Sequence, residues 1–280
     1  MFQYAAGLAL SIYHDTELLL DIREYTNADC HNGFELGNVF NISAKLASQT
    51  DVFHILGIRS IYIVTKTLRK KKYAWLRGAR YIQEPYFHYY DDIKKAPENC
   101  YLSGYWQSER YFKDVENVVR EQFSFKRALD NKNKQLYEKI RSTNSISVHF
   151  RRGDYIKNEK TNRVHGVCNN YYYSRAIKLM NETIKSPVFY VFSDDTDWVR
   201  DNVQIEGDFV IVDTNKGDTS YIDMQLMSAC NHHIIANSSF SWWGAWLNNK
   251  NNKRVMAPRQ WFRESDNIID DLIPADWETL

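Results

Sequence analysis

Four short segments carry residue types whose spacing could do chemistry. The first is His149-Phe150-Arg151-Arg152-Gly153-Asp154-Tyr155. His149 and Arg151 stand two apart, so at a strand end they face the same way, while Arg152 points oppositely. Gly153 permits a tight turn, and Asp154 follows within reach of either arginine. A guanidinium fork at a strand terminus can bind two oxygens of a diphosphate and stays charged. The same residues could equally close a turn with a plain Arg–Asp ion pair. The second segment is Ser193-Asp194-Asp195. Acidic pairs at a strand end can bind a ribose hydroxyl, a metal or an acceptor hydroxyl; equally, Ser193 or Asp194 can cap the helix that starts at 195. A metal would need further carboxylates that the sequence does not place nearby.

The third is Asp223, at the start of Asp223-Met224-Gln225-Leu226. One carboxylate there can accept from the N1 and N2 hydrogens of a guanine, or act as a helix-start acid that complements the macrodipole. The fourth runs from Ala236 through Ser238 and Ser239 to Trp246. Two serines and free backbone N–H groups at a helix N-terminus form an anion site. Trp242, Trp243 and Trp246 read as packing for that helix.

These segments need elements to position them. SISVHF (145–150), VFYVFS (188–193), DFVIVD (208–213), HHIIAN (232–237) and KRVMAP (253–258) read as strands. Helical patterns over 171–185, 195–202, 219–231 and 238–248 alternate with them. That alternation implies βαβ units and a parallel sheet, in which ligands sit beyond the carboxyl ends of the strands. The four segments fall there. Upstream, residues 3–20 read as a helix followed by a short buried strand, and 81–112 are dense in aromatics. A polar helical stretch over 114–141 precedes the change of character at Ser145, which sets the boundary between a half of residues 1–142 and a half of residues 143–280.

Composition narrows the classes. The 280 residues include 44% apolar and 25% charged residues, enough for a sizeable core. A net charge of +1 gives no global field for nucleic acid. The 19 Tyr and 8 Trp suit a protein that handles sugars, whose C–H faces pack on rings, and equally suit a core. Cys30, Cys100, Cys168 and Cys230 are scattered and read as free thiols of a reducing compartment, with no zinc site. No apolar run reaches the ~18 residues of a membrane span, and the start is a poor signal peptide. The sequons at Asn41, Asn181 and Asn237 therefore read as chance matches. The basic run 66–72 (KTLRKKK) reads as a solvated helix face or a contact with an anionic membrane or lipid-linked acceptor. Neither GxxxxGK[ST] nor GxGxxG occurs, which removes P-loop and dinucleotide readings.

In this order, HFRRGDY, FSDD, DMQLMSAC and IIANSSFSWWGAWL resemble the α-1,2-fucosyltransferases of bacteria and animals, glycosyltransferase family 11. GYWQSERYF (104–112) is similar to that family's middle region and FQYAAGLAL to its N-terminal helix, so the resemblance covers nearly the whole chain. It implies an α/β, GT-B-like fold of two Rossmann-like halves: residues 1–142 on the acceptor side and 143–280 binding a GDP-sugar. The implied reaction is inverting transfer of L-fucose from GDP-β-L-fucose to O2 of a β-galactoside, with no metal and no cofactor beyond the donor. Residue by residue, the resemblance implies that Arg151 binds the diphosphate and that His149 lies near the guanosine. It implies that Asp223 reads guanine, that Asp194 belongs to the nucleotide site and that Ser238 and Ser239 contact phosphate. Arg151 and Asp154 stand as the catalytic pair, Asp154 chiefly as a tie to an arginine. The catalytic base is open among Asp154, Glu159, Asp194 and Asp195. The resemblance implies a galactose-terminated glycan as acceptor; the expected location is cytoplasmic, with the run 66–72 as the contact with the inner face of a membrane or with a lipid-linked acceptor. The family carries a glycine-rich turn ending in Gly-Asn-Gln ahead of the position that is Met1 here; its absence reads as a late start site or a truncated chain. The alternatives are another linkage, another GDP-sugar, or a glycan-binding protein without catalysis.

Overall fold

The computed structural model describes residues 1–25, 33–264 and 267–280; Cys30 lies outside them. The chain divides into two compact units. One comprises Met1–Lys126 with Asn267–Pro274, the other Arg127–Asp266 with Ala275–Leu280.

In the first unit, helix α1 (Phe2–Tyr13) precedes strand β1 (Leu19–Leu20), short helix α2 (Leu36–Val39) and strand β2 (Lys45–Leu46). Helices α3 (Gln49–Leu56) and α4 (Tyr62–Leu68), strands β3 (Tyr81–Gln83) and β4 (Tyr101–Ser103) and helix α5 (Glu116–Gln122) follow. The strands form two parallel pairs, β1 with β2 and β3 with β4. Ser48 caps α3 with a capping box to Asp51. Trp106, Tyr111 and Phe112 are buried, so much of the aromatic segment is core. Tyr86 and Tyr105 are its exposed rings.

In the second unit, helix α6 (Asn131–Arg141) leads into β5 (Asn144–Phe150), α7 (Gly153–Lys157), α8 (Glu159–His165), α9 (Asn170–Thr183) and β6 (Pro187–Ser193). Helix α10 (Thr196–Asn202), β7 (Asp208–Val212), α11 (Tyr221–Ala229), β8 (His232–Ile234), α12 (Ser239–Leu247), β9 (Val255–Ala257) and β10 (Glu278–Thr279) complete it. All six strands are parallel, in the order β10-β9-β8-β5-β6-β7. Ile146, Val148 and Phe150 pack with Phe189, Val191 and α9 residues on one face, while Tyr190 and Phe192 pack with Ile140 and α11 residues on the other. Burial on both faces explains why VFYVFS is a continuous apolar run and not an alternating one.

Two expectations are corrected. The division falls after Lys126, not after residue 142, because α6 sends Ile140 into the second unit's core. Gly153 opens helix α7 and makes no tight turn.

Candidate functional site

The sheet order reverses at β5. The chain continues from β5 to β6 and β7 on one side, then returns to place β8 on the other. Such a switch point leaves a crevice beyond the carboxyl ends of the two central strands. The first and fourth sequence segments follow these two strands, β5 and β8.

At the end of β5, Arg151 Nη2 lies 2.6 Å from Asp154 Oδ1 and Nη1 lies 2.9 Å from Asp194 Oδ2, with the side chain 23% exposed. Both an Arg–Asp ion pair, here at the start of α7, and an accessible guanidinium are therefore present. Arg151 also lies 5.1 Å from the Tyr155 ring centroid, and Tyr155 Oη donates to the Asn237 carbonyl at 3.3 Å. Asn237 precedes Ser238, the N-cap of α12, whose hydroxyl accepts from Phe240 N. Ring contact between His149 and Phe240, at 5.8 Å, makes a second tie between the two places. The structure thus brings Arg151 and the start of α12 together.

Arg152 turns the other way, as its spacing predicts. Its guanidinium sits 3.4 Å over the Trp198 ring, with Nε 3.7 Å from Asp195 Oδ2. Its backbone N–H donates to Asp194 Oδ1 at 2.8 Å. Asp194 therefore holds both the Arg151 side chain and the Arg152 backbone. A Cβ on Gly153 would stand 2.5 Å from Asp194 Oδ2, so this close approach needs glycine. The N-cap of α10 is Asp195, accepting from Trp198 N, and not Ser193 or Asp194, because Asp194 turns to the arginines.

His149 is buried, and burial pulls its imidazole down to about 3, Asp194 opposing and Arg151 reinforcing the shift. It is neutral at physiological pH. Its Nδ1 and the Nε of Arg151 are buried with no hydrogen-bond partner. Asp223 lies in the first turn of α11, where Asn215 Nδ2 donates to its Oδ1 at 2.7 Å. Burial pushes its carboxyl up to about 7 against that hydrogen bond. Asn215 and Asn133 exchange a pair of amide hydrogen bonds at 3.0 Å each, which fixes the donor. Ser239 is exposed and Ser238 buried.

Sequence reasoning missed Asn215 and Tyr155. Asn215 lies just past the carboxyl end of β7, so the rule that located the other segments was enough to find it. Tyr155 was quoted as part of its segment, but its bond to Asn237 is invisible without the fold. The tryptophans of α12 are buried, as expected. Asn237 Nδ2 donates to the carbonyls of His165, Gly166 and Trp261, so that sequon's amide is fully engaged. Among the described residues Cys100, Cys168 and Cys230 are free.

The fold is shared with the fucosyltransferase NodZ from Bradyrhizobium, at a TM-score of 0.51 and 14% identity over 87% of this chain and 86% of that one. It is an α/β, GT-B-like fold. Residues 53–277 match the family described as Glycosyl transferase family 11, and the chain belongs to that family and is a glycosyltransferase. It is 37% identical to an alpha-1,2-colitosyltransferase of Escherichia coli, over 99% of this chain and 93% of that protein. It is 33% identical to the O-antigen biosynthesis glycosyltransferase WbnK of Escherichia coli, over 94% and 91%. A galactoside alpha-(1,2)-fucosyltransferase 1 of Aotus azarae is 29% identical over 52% of this chain and 42% of that protein.

Proposed function

We propose that the chain transfers L-fucose from GDP-β-L-fucose to O2 of a β-galactoside with inversion at the anomeric carbon. The observation that carries this reading is the position of Arg151 at the switch point beside the start of α12. As the anomeric C–O bond breaks, the sugar acquires oxocarbenium character and charge grows on the departing β-phosphate. Arg151 and the α12 terminus stabilise that charge more in the transition state than in the ground state. Asp154 and Asp194 hold the guanidinium in place beforehand, so little reorganisation is needed when the diphosphate arrives.

In this reading Asp223, ionised, accepts from the N1 and N2 hydrogens of guanine, and Asn215 holds one of its oxygens. Guanine contact favours the ionised carboxylate, so donor binding releases a proton below about pH 7 and tightens as pH rises through that value. Ser239 and the first N–H groups of α12 contact phosphate, and buried Ser238 caps the helix that presents them. The acceptor is a galactose-terminated glycan, lipid-linked at the inner face of a membrane. No metal enters the proposed step.

The 37% identity to a colitosyltransferase favours one second reading, a GDP-linked colitosyl donor in place of the fucosyl one. The test is incubation with each donor and a panel of β-galactosides, with NMR of the product. An α-1,2 fucosyl linkage is the expected result. A colitosyl product alone selects the second reading, and no transfer from either donor overturns both.

A further inference from the structure

The first unit carries a surface that the transfer chemistry does not use. Residues 53–80 contain eight Lys or Arg and no Asp or Glu, in a chain whose net charge is +1. Within this stretch α4 sends Thr65 and Leu68 inward, where Leu68 joins Val52, Leu56 and Tyr81 in a small core. Ile63 on α4 and Ile61, its N-cap, are exposed, and Ile58 and Trp75 stand out from the turns on either side at 77% and 78% exposure.

Single exposed apolar residues are ordinary. The segments that carry these four are tied by side-chain bonds to backbone. Arg59 Nε donates to the Leu76 carbonyl at 2.6 Å, Arg77 Nε to the Leu68 carbonyl at 2.8 Å, and Thr65 Oγ1 to the Arg59 carbonyl at 2.7 Å. The turns bearing Ile58 and Trp75 are thereby tied to one another and to α4. Around them Lys66, Lys70, Lys71 and Lys72 are exposed, and none of the four makes an ion pair among the described residues. Arg69 is the basic residue of the run that is paired, to Glu24 at 2.6 Å.

We propose that this face docks the protein peripherally on an anionic lipid bilayer. Ile58, Ile61, Ile63 and Trp75 enter the boundary between headgroups and acyl chains, while the four lysines face lipid phosphates. Apolar anchors ringed by cations are the combination that interfacial binding requires, since burial of the first and attraction of the second add. An indole at the edge of such a face suits the headgroup level. Docking by this surface does not depend on whether the donor is GDP-fucose.

The test is flotation of the full chain with phosphatidylcholine vesicles containing about 30 mol % phosphatidylglycerol, against phosphatidylcholine alone. The chain is expected to float with the anionic vesicles only, and to be released at about 0.5 M salt. The triple variant Lys70→Gln, Lys71→Gln, Lys72→Gln is expected to bind about a hundredfold more weakly. Ile63→Ser with Trp75→Ser is expected to weaken binding by about tenfold or more. All five positions are solvent-facing, so melting temperature and GDP affinity are expected to match wild type, which separates this proposal from the donor site. A chain that stays in the dense fraction at low salt, binds neutral vesicles equally, or is indifferent to both variants overturns the proposal. Concentration-dependent dimers in sedimentation velocity that disappear in the Ile63→Ser, Trp75→Ser variant would instead assign the face to a second copy of the chain.

Discussion

In the second unit β5 and β6 run for seven residues each, and every residue from Ser145 to Phe150 is buried. In the first unit no strand among the described residues exceeds three. What long parallel strands do for the second unit, rings and charged side chains do for the first. Trp106 meets Tyr111 edge-on at 5.3 Å, and Phe123 packs against Tyr4 at 5.4 Å and Phe40 at 5.1 Å. Glu84 accepts from the backbone N–H groups of Tyr105 and Trp106, at 2.6 and 2.9 Å. Asp21 accepts from Arg23 and from the Tyr101 hydroxyl. The difference separates two jobs. A sheet buried on both faces fixes where its strands end, and charges placed there can be held for chemistry without holding the fold. In the first unit Glu84 is spent on backbone N–H groups and Asp21 on neighbouring side chains.

This contrast predicts where substitution should strike stability and where it should strike activity. The largest effect is on folding. Trp106→Ala removes a ring that is 1% exposed and should cost about 3–5 kcal/mol, seen as a fall of on the order of 10 °C in melting temperature; a shift of a degree or two would break the comparison. Arg151→Ala should lower the transfer rate at least about a hundredfold, about 3 kcal/mol in the barrier, with little change in melting, because its partners Asp154 and Asp194 can reach solvent. Turnover like wild type would remove Arg151 from the mechanism.

Next comes Gly153→Ala, whose new methyl displaces Asp194 and costs about 1–3 kcal/mol. Donor affinity should fall about tenfold, and unchanged affinity in a folded variant would mean that Asp194 does not hold the arginine for binding. The smallest effect is pH-dependent. Burial raises the folded pKa of Asp223 above its unfolded value, so the native state holds an extra proton between the ordinary carboxylate range and about 7. Its contribution to stability is present at low pH and lost as pH rises through that window. Asp223→Asn should therefore raise stability by on the order of 1 kcal/mol at pH 8 and by nothing at pH 4, while weakening GDP binding. Thermal melts at the two pH values, with GDP titrations, check both; equal shifts at both pH values would contradict the assignment.

The same contrast explains what the sequence discloses. Long strands leave apolar runs, so β5, β6 and β7 stand where SISVHF, VFYVFS and DFVIVD put them, and the segments beyond β5, β6 and β8 could be read as strand ends. Two-residue β10 has no run to leave. Helices α7 and α8, of five and seven residues, are too short for a periodicity reading, although Asn158 caps α8 by accepting from the backbone N–H groups of Lys160 and Thr161. The unit boundary was misplaced because the exposed polar face of α6 hides Ile140. Arg151, Asp154, Asp194 and the α12 serines were legible because each follows a strand. The pairing of Asp194 with both the Arg151 side chain and the Arg152 backbone was not, because it joins residues 42 apart. In the first unit, Ile58, Ile63 and Trp75 look like core residues in a sequence, and only the fold leaves them outside.

The central claim is that Arg151 and the start of α12 together hold two linked phosphates. Calorimetric titration of the wild-type chain and Arg151→Ala with GDP and with GMP tests it without any acceptor. The account predicts that wild type prefers GDP and that the preference collapses in the variant. The same preference for GDP in both proteins would contradict it.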